Sequence, residues 1–547
     1  MRILNQNAKQ LIILTIVCLI TFFVNNQVIL TDIMESRNIV TAREMVYDQN
    51  WMIPTMNGEL RLEKPPLPTW IAAGAEILSP DNISMQRAMA GLAAVLLVFG
   101  FYALGREFTR NDKYAFISSL ILCTSYNIIL MGRTASWDIY CHAFMVWAIY
   151  YIYKAFMGRK SNWKYFLAAG FFLGLSFLGK GPVSFYALLL PFLISFIFIY
   201  RPSMKRKWGG LLGMILLCLV ISLWWYIALF LYYPDEAAYV LHKESASWIN
   251  RNVRSWHYYS TFFLETGVWA LAVLTSFAIP YWSNRLRMKK EYYFTLSWMI
   301  LLVILLSCLP EKKNRYLLPV LIPAAYTVGF MFEYWWNIFK QRRANESDKI
   351  IFRINSYPIA IICLSLPVLI YLFLYTNGAI NLGWFIALSI VFVFIACFMF
   401  YAAIKTKPSV FLGSVVVLFL VAEIIIMPFI GSLFNNPDLN GLSATREIKE
   451  LKEVPFYHVK GEELRIEVVY EAHRKIRPLN IQDEKEVEAS LPLAILTHQR
   501  VGEVLPSKLL EKVDTVWIGR YDNNRRKKDS GRYDNDFIYH VTLLKKK

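Results

Sequence analysis

Uninterrupted apolar runs of about 20 residues recur along this chain, and each is long enough to cross a bilayer core as a helix. They fall at 10–30, 84–105, 114–131, 138–156, 163–179, 183–200, 209–232, 259–281, 292–309, 316–335, 354–375, 380–403 and 409–433. A soluble protein of 547 residues would divide into several cores and carry more than 18% charged residues; this chain is 56% hydrophobic. The pattern predicts an all-α polytopic membrane protein with about 13 transmembrane helices. The first run has the basic start of a signal peptide but ends in "VNNQVIL" without a small-x-small site, so it reads as a membrane helix.

Lys and Arg crowd the short connections "GREFTRNDK", "RPSMKRKW", "NRLRMKK" and "KQRRANESDKIIFR". By the positive-inside rule these are cytoplasmic, which puts the N-terminus inside and the tail from about residue 436 outside, in the periplasm. The formal charge of +18 is then mostly a topology signal, not nucleic-acid binding. All seven cysteines lie in or at the ends of apolar runs, with no CxxC spacing, and read as small core residues.

Residues 1–435 form the expected membrane body, with long outer loops at 31–83 and 233–258. Residues 436–547 are soluble in composition and read as a small α/β domain. In it "SATREIKELKE" suggests a helix with Ser443 and Glu447 as a capping box. "RIEVVYEA", "LPLAILT", "DTVWIGRY" and "FIYHVTLL" suggest strands by alternation and β-branched content, and "NNRRKKDSGRYDND" a polar turn between the last two. The tail's histidines are scattered and point to no site.

Charged residues gather where the topology disfavours them. In "ESRNIVTAREM", helical spacing puts Ile39, Ala42, Met45 and Val46 on one arc and Arg37, Thr41, Arg43, Glu44 and Tyr47 opposite. This predicts an amphipathic helix lying on the membrane surface. Glu35 projects with the apolar arc, either as a carboxylate favoured by the helix dipole or as one put to use. "ELRLEKPPLPTW" adds Arg61, Glu63 and Lys64 before a stiff Pro65-Pro66 pair. Lys64 is there either a snorkelling lysine or part of an anion site for a lipid phosphate. "GRTASWDIYCHAF" brings Arg133, Asp138 and, at i+4 on the same face, His142, which reads as a hydrogen-bond partner of Asp138. "LGKGPVSF" holds Lys180 at a Gly/Pro break, "LPEKKNRYLLP" holds Lys312, Lys313 and Arg315, and "KESASWINRNVRSWHYY" holds Arg251 and Arg254. Together these predict an outer-leaflet cavity for a phosphate-bearing lipid, with Glu35, Glu63 and Asp138 left for acid/base work or a metal.

The same stretches carry a resemblance. "MESRNIVTAREM", the spaced Trp51, Pro54, Asn57 and Gly58, "EKPPLPTW", "GR…D", "GKGP" and "K-x-x-R-Y-LLP" resemble, in order, the aminoarabinose transferase and protein O-mannosyltransferase-like glycosyltransferases. The resemblance implies a GT-C type fold and an enzyme that moves an aminoarabinose- or mannose-like sugar from a polyprenyl-phosphate carrier to a lipid A-type or protein acceptor. This would occur at the outer face of the cytoplasmic membrane. It implies that Lys64 contacts the carrier phosphate, that Glu63 lies near it, at a divalent metal if one is used, and that Arg133, Lys180 and Arg315 are cavity cations. The family's Asp-Glu pair is broken here by Met34, which leaves the Asp role to Glu35 with Asp138 as second carboxylate, or to Asp32. The substrate-binding set is then Arg37, Arg61, Glu63, Lys64, Arg133, Lys180, Arg251, Lys312 and Arg315. If the acceptor is a hydroxyl, Glu35 acts as general base; if it is a phosphate, Glu35 positions or repels it. The competing class is a flippase or transporter of the polyprenyl-linked sugar. Against it stand the lack of an internal repeat and the crowding of charge on one membrane face.

Overall fold

The structure, a computed structural model, describes residues 6–158, 162–434, 436, 439–528, 531 and 533–547. The chain folds as two compact units. One comprises Met1–Gln27, Leu62–Pro68 and Asn82–Phe429, the other Val28–Arg61, Thr69–Asp81 and Ile430–Lys547.

The first unit is helical. Among the described residues seven helices are long and apolar enough to cross a membrane: Ile83–Thr109, Trp208–Tyr232, Lys289–Cys308, Asn314–Lys340, Glu346–Tyr375, Leu382–Ile404 and Pro408–Gly431. The helices Gln6–Phe23, Asp138–Met157 and Trp163–Lys180 coincide with further apolar runs. Two expected spans are interrupted. The run 114–131 bends by 71° between Asp112–Cys123 and Tyr126–Gly132, where Ser125 is in extended conformation. The run 259–281 is not one helix: a 3-10 stretch broken at Gly267 (φ 65°) leads into the short helices Ala270–Ser276 and Ile279–Ser283. The expected outer loop 233–258 is instead mostly the helix Pro234–Asn250, started by a proline at its first position. Aromatic rings lock the centre of this unit. Phe101 stacks on Tyr326 at 3.7 Å, Tyr114 on Phe330 at 4.3 Å, and Phe108 meets Tyr326 edge-on at 5.0 Å. Such pairs add about 0.5–1.5 kcal/mol each beyond the area they bury.

The second unit is built on a mixed five-stranded sheet. Its spatial order is Ile476–Leu479, Phe456–Val459, Leu493–Thr497, Ile538–Lys546, Val513–Asp522. The first three strands are parallel and the last two pair antiparallel, with a bulge between Trp517 and Gly519. Three of the strands expected from alternation are therefore present. "RIEVVYEA" is not a strand: it is the helix Ile466–Ala472, whose Val468, Val469 and Ala472 form one buried face at helical spacing. "SATREIKELKE" is a pair of 3-10 turns, Leu442–Glu447 and Lys449–Leu451, without a side-chain cap. Ser443 and Glu447 are four apart, one residue too many for a capping box. Of the expected polar turn, Asp529, Ser530 and Arg532 lie outside the described residues.

The helix Ile33–Tyr47 belongs to this unit, and it does not lie on a surface with its polar side in water. Glu35, Thr41, Arg43 and Glu44 are as buried as Ile39 and Met45. Val40 enters the sheet core with Phe456 and Val468, while Ala42 and Met45 pack on Ala72 and Ala73. The polar side is covered because its charges are matched. Arg43 donates to Tyr470 O at 2.8 Å and meets Asp81 at 3.1 Å. Glu44 Oε2 accepts from Thr55 Oγ1 at 2.6 Å and Gly58 N at 3.1 Å. The Asn57-Gly58 turn presenting that N–H has both residues at positive φ (57° and 82°), the turn favoured by this dipeptide in a short hairpin.

Candidate functional site

In the first unit a carboxylate and an ammonium meet at the opposed ends of two antiparallel helices. Asp138 is the first residue of Asp138–Met157, and Lys180 is the last of Trp163–Lys180. Gly179 lets the helices close: a Cβ there would stand 3.1 Å from Cys141 Cα. Gly181 ends the second helix at φ 71°, ψ −149°, a backbone reserved almost wholly for glycine. Ser176 Oγ lies 2.7 Å from both Cys141 O and Ser184 Oγ. Held this way, Lys180 pairs with Asp138, both side chains less than a tenth exposed.

The pair stands between two cavities. The larger, about 510 Å³, is an apolar groove walled by Phe177, Leu223, Tyr226, Phe230 and Leu241, with Glu63, Lys64, Lys180 and Glu244 among its few charges. The smaller, about 60 Å³, is lined by Asp138, His142, Glu311 and Tyr316. Val183 and Trp248 line both. Lys64 Nζ bonds Glu244 Oε2 at 2.9 Å, and Lys243 faces Glu63 at 3.9 Å. In the loop 309–316, Lys313 pairs with Glu311 at 2.5 Å, Tyr316 donates to Glu311 Oε2 at 3.1 Å, and the Lys180 ammonium sits 5.7 Å from the Tyr316 ring. Burial holds the Lys313 ammonium below its ordinary value even with Glu311 beside it, and Arg315 and Arg251 add to this. The site therefore sets lysines, each paired with a carboxylate, beside an apolar channel, so an anionic headgroup on a long hydrocarbon would reach a cation by displacing its carboxylate.

The expected residues divide by position. Glu63, Lys64, Lys180 and Asp138 gather at these cavities, and Arg315 is near enough for its charge to act on Asp138. The buried Nε of Arg315 has no hydrogen-bond partner among the described residues. Besides Arg315, three expected cations of this unit line neither cavity. Arg133 donates to Thr21 O and Val24 O, closing the end of Gln6–Phe23. Lys312 donates to the Arg254 and Leu309 carbonyls, tying two loops together. Arg251 is exposed at the end of Pro234–Asn250. In the second unit Arg61 donates to Arg37 O at 2.5 Å and Thr41 Oγ1 at 2.6 Å, bracing the helix Ile33–Tyr47. Asp32 is that helix's N-cap, and Glu35 completes its capping box by accepting from Asp32 N at 3.4 Å. Asp138 is engaged by Lys180, while His142 Nδ1 is buried without a partner among the described residues, so the expected Asp138–His142 bond is replaced by an ion pair. Among the described residues no group of three or more His, Cys, Asp or Glu is placed to hold a metal ion. Glu63 thus lacks the co-ligands that its expected metal role requires.

The candidate set leaves out four residues of the quoted stretches that line the cavities: Glu244, Trp248, Glu311 and Tyr316. The signal for two of them is present, since Glu244 and Trp248 stand four apart in "KESASW" and share a helix face.

Residues 63–226 match the family described as Dolichyl-phosphate-mannose-protein mannosyltransferase. A protein of Aquifex aeolicus with no assigned role is 27% identical over 57% of this chain and 61% of its own. The undecaprenyl phosphate-alpha-4-amino-4-deoxy-L-arabinose arabinosyl transferase 2 of Proteus mirabilis is 26% identical over 59% of each. The crystal structure of ArnT from Cupriavidus metallidurans bound to undecaprenyl phosphate superposes with a TM-score of 0.71, covering 98% of this chain and 97% of that one at 14% identity. Over residues 63–226 the chain is similar to that mannosyltransferase family, and over about three fifths of its length to the arabinosyl transferases. It has the fold of ArnT, of GT-C type, and spans about three fifths of the length of the curated relatives it matches. The family match begins at Glu63 and covers Lys64, Asp138 and Lys180, so it runs through the two cavities.

Proposed function

We propose that this chain is an integral membrane glycosyltransferase that moves a sugar from a polyprenyl-phosphate carrier to a lipid A-type or protein acceptor. The observation that carries the reading is the apolar groove with Lys64 and Lys180 on its wall and the buried Asp138 beside them. The polyprenyl chain fills the groove by apolar burial. The phosphate displaces Glu244 from Lys64 and shares Lys180 with Asp138. As the bond to the anomeric carbon breaks, charge grows on the leaving phosphate. Lys64, Lys180 and Arg315 stabilise it in a site of low dielectric. Asp138, released in part from Lys180, is the carboxylate nearest this chemistry, and it takes the proton of an acceptor hydroxyl or orients an acceptor that is already ionised. Glu35, Arg37 and Arg61 enter the proposal with the braced helix Ile33–Tyr47, Glu35 as a second carboxylate. Arg133, Arg251 and Lys312 enter it as residues that hold the surrounding loops and helix ends. A divalent ion at Glu63 would need ligands from the substrate.

The topology proposed with this reading is a cytoplasmic-membrane protein of about 13 spans with a cytoplasmic N-terminus. Residues 1–435 are its membrane body and 436–547 a periplasmic domain. The test is label transfer from a radiolabelled polyprenyl-phosphate sugar to an envelope extract by protein in lipid, comparing wild type with Lys64→Ala and Asp138→Asn. Transfer by the wild type and its loss in both variants is the expected result. Label that stays on the carrier yet crosses the bilayer in all three would replace the transferase with a flippase.

A further inference from the structure

The basic run Arg525-Arg526-Lys527-Lys528 lies in the polar loop between the last two strands of the second unit, and the proposed reaction uses none of it. Its first member is spent on the fold. The Arg525 guanidinium donates to Thr31 O at 3.0 Å and pairs with Glu471, while its backbone carbonyl accepts from Asn436 N at 2.9 Å. Asn436 Nδ2 donates to the neighbouring Asn524 O at 3.0 Å. Asn524 in turn closes the loop, donating from Nδ2 to Asp534 O at 2.8 Å and accepting from Asp534 N at 2.9 Å.

These bonds decide where the run sits. Thr31 and Asn436 stand on two of the segments that join the second unit to apolar helices. Thr31 follows Gln6–Phe23, and Asn436 follows the span Pro408–Gly431. The few residues from Gly431 to Asn436 reach at most about 18 Å even at full extension. The start of the run is therefore held near the point where the chain leaves the bilayer, whichever side of the membrane the unit occupies.

The other three cations are not spent. Arg526 and Lys527 are half-buried and Lys528 exposed, and none makes an ion pair or hydrogen bond among the described residues. The described acids of the loop are already engaged. Asp522 accepts from Tyr533 at 2.5 Å and Asn524 Nδ2 at 2.9 Å, and Asp534 caps the turn Asn535–Phe537. Adjacent cations without carboxylates repel one another, and an anionic leaflet relieves that repulsion. Each Lys or Arg within a Debye length of such a surface, about 8 Å at physiological salt, is attracted to it.

We propose that residues 526–528 dock on the lipid surface and take the phosphates of anionic phospholipid headgroups. Lipid contact of this kind does not depend on the transferase reading, because it uses no residue of the groove or of the Asp138–Lys180 pair.

The test is limited trypsin cleavage of the full chain in nanodiscs of zwitterionic phosphatidylcholine or anionic phosphatidylglycerol, with the cut sites read by mass. Cleavage after residues 526–528 should be about tenfold slower in phosphatidylglycerol, and high salt should abolish the difference. Arg526→Gln with Lys528→Gln keeps Lys527 as a cut site, changes only a surface loop, and should be cleaved at similar rates in both discs. Equal cleavage of the wild type in the two discs overturns the proposal. Protection that survives high salt, or that the double variant retains, also overturns it, because charge on the run is then not its cause. Protection already present in phosphatidylcholine does the same, since protein and not anionic lipid then covers the run.

Discussion

Lys180 and Asp138 are each the other's main compensation for leaving water, which makes the pair fragile to single substitution. Removing one partner of a buried ion pair typically costs about 3–5 kcal/mol, because the other charge is left uncompensated. Lys180→Ala should therefore lower the thermal midpoint clearly, and Lys180→Met with Asp138→Leu should recover most of that loss while remaining inactive in transfer. Equal midpoints for the single and double variants would show that the pair is not coupled. Lys64 is more accessible, with side-chain exposures of 28% and 33% in its pair with Glu244. Lys64→Ala should leave the midpoint nearly unchanged yet cut kcat/KM about 10- to 100-fold, the roughly 1.5–3 kcal/mol of a charged hydrogen bond. Glu35→Gln separates the two carboxylates. A capping role alone predicts little change in stability with activity kept, since Gln serves at this capping-box position as Glu does, whereas loss of transfer at full stability makes Glu35 catalytic. Asp138, Lys64 and Lys180 are visible in the sequence as ionisable groups at membrane borders. Sequence does not distinguish them from Arg133 and Lys312, whose charges are spent on backbone carbonyls, because both kinds sit in equally charged short motifs.

At the scale of elements, the helix Ile33–Tyr47 is held by a network with a definite pH dependence. His473 Nδ1 donates to Asp81 while its Nε2 lies 3.0 Å from Arg43 Nη2, which fits a neutral ring accepting from the guanidinium. Burial pushes the His473 imidazole down, with Arg43 and Arg446 adding to it against Asp81. Burial by itself would raise the Asp81 carboxyl, but His473, Arg43 and Arg446 together hold it below the usual range. Both groups bind protons less readily folded than unfolded. Their stabilisation is thus complete above the unfolded values and is lost as pH falls, from His473 first, below about 6.5, and from Asp81 below about 4. Hydrogen exchange of the segments 33–47 and 466–472, corrected for its intrinsic rate, should accelerate as pH drops from about 7 to 5. It should not in Asp81→Asn with His473→Gln. The helix itself is legible from its spacing. Its burial on all sides is not, since the partners of Arg43 and Glu44 come from Asp81, Tyr470 and the Asn57-Gly58 turn, and hydrophobic periodicity carries no information about distant charges. The helix Ile466–Ala472 reads as a strand for the reverse reason: in seven residues, β-branched content outweighs a short helical face.

For the whole molecule, the proposed topology makes a direct prediction: the segment 436–547 should be cleaved by protease added to spheroplasts, while the loops at 106–113 and 201–207 should resist until the membrane is opened. Protection of the tail would reverse the orientation. Membrane insertion, the family resemblance and the charged motifs were determined by the sequence itself, because apolar run length and Lys/Arg placement act locally and need no partner. Where those motifs meet was decided by tertiary structure. The close approach at Gly179 and the turn at Gly181 bring Asp138 to Lys180 across 42 residues of chain. The helix Pro234–Asn250, which reads as loop in the sequence, supplies Glu244 and Trp248 to the groove. Packing selects among charges by desolvation and distance, and those two quantities exist only once the chain has folded.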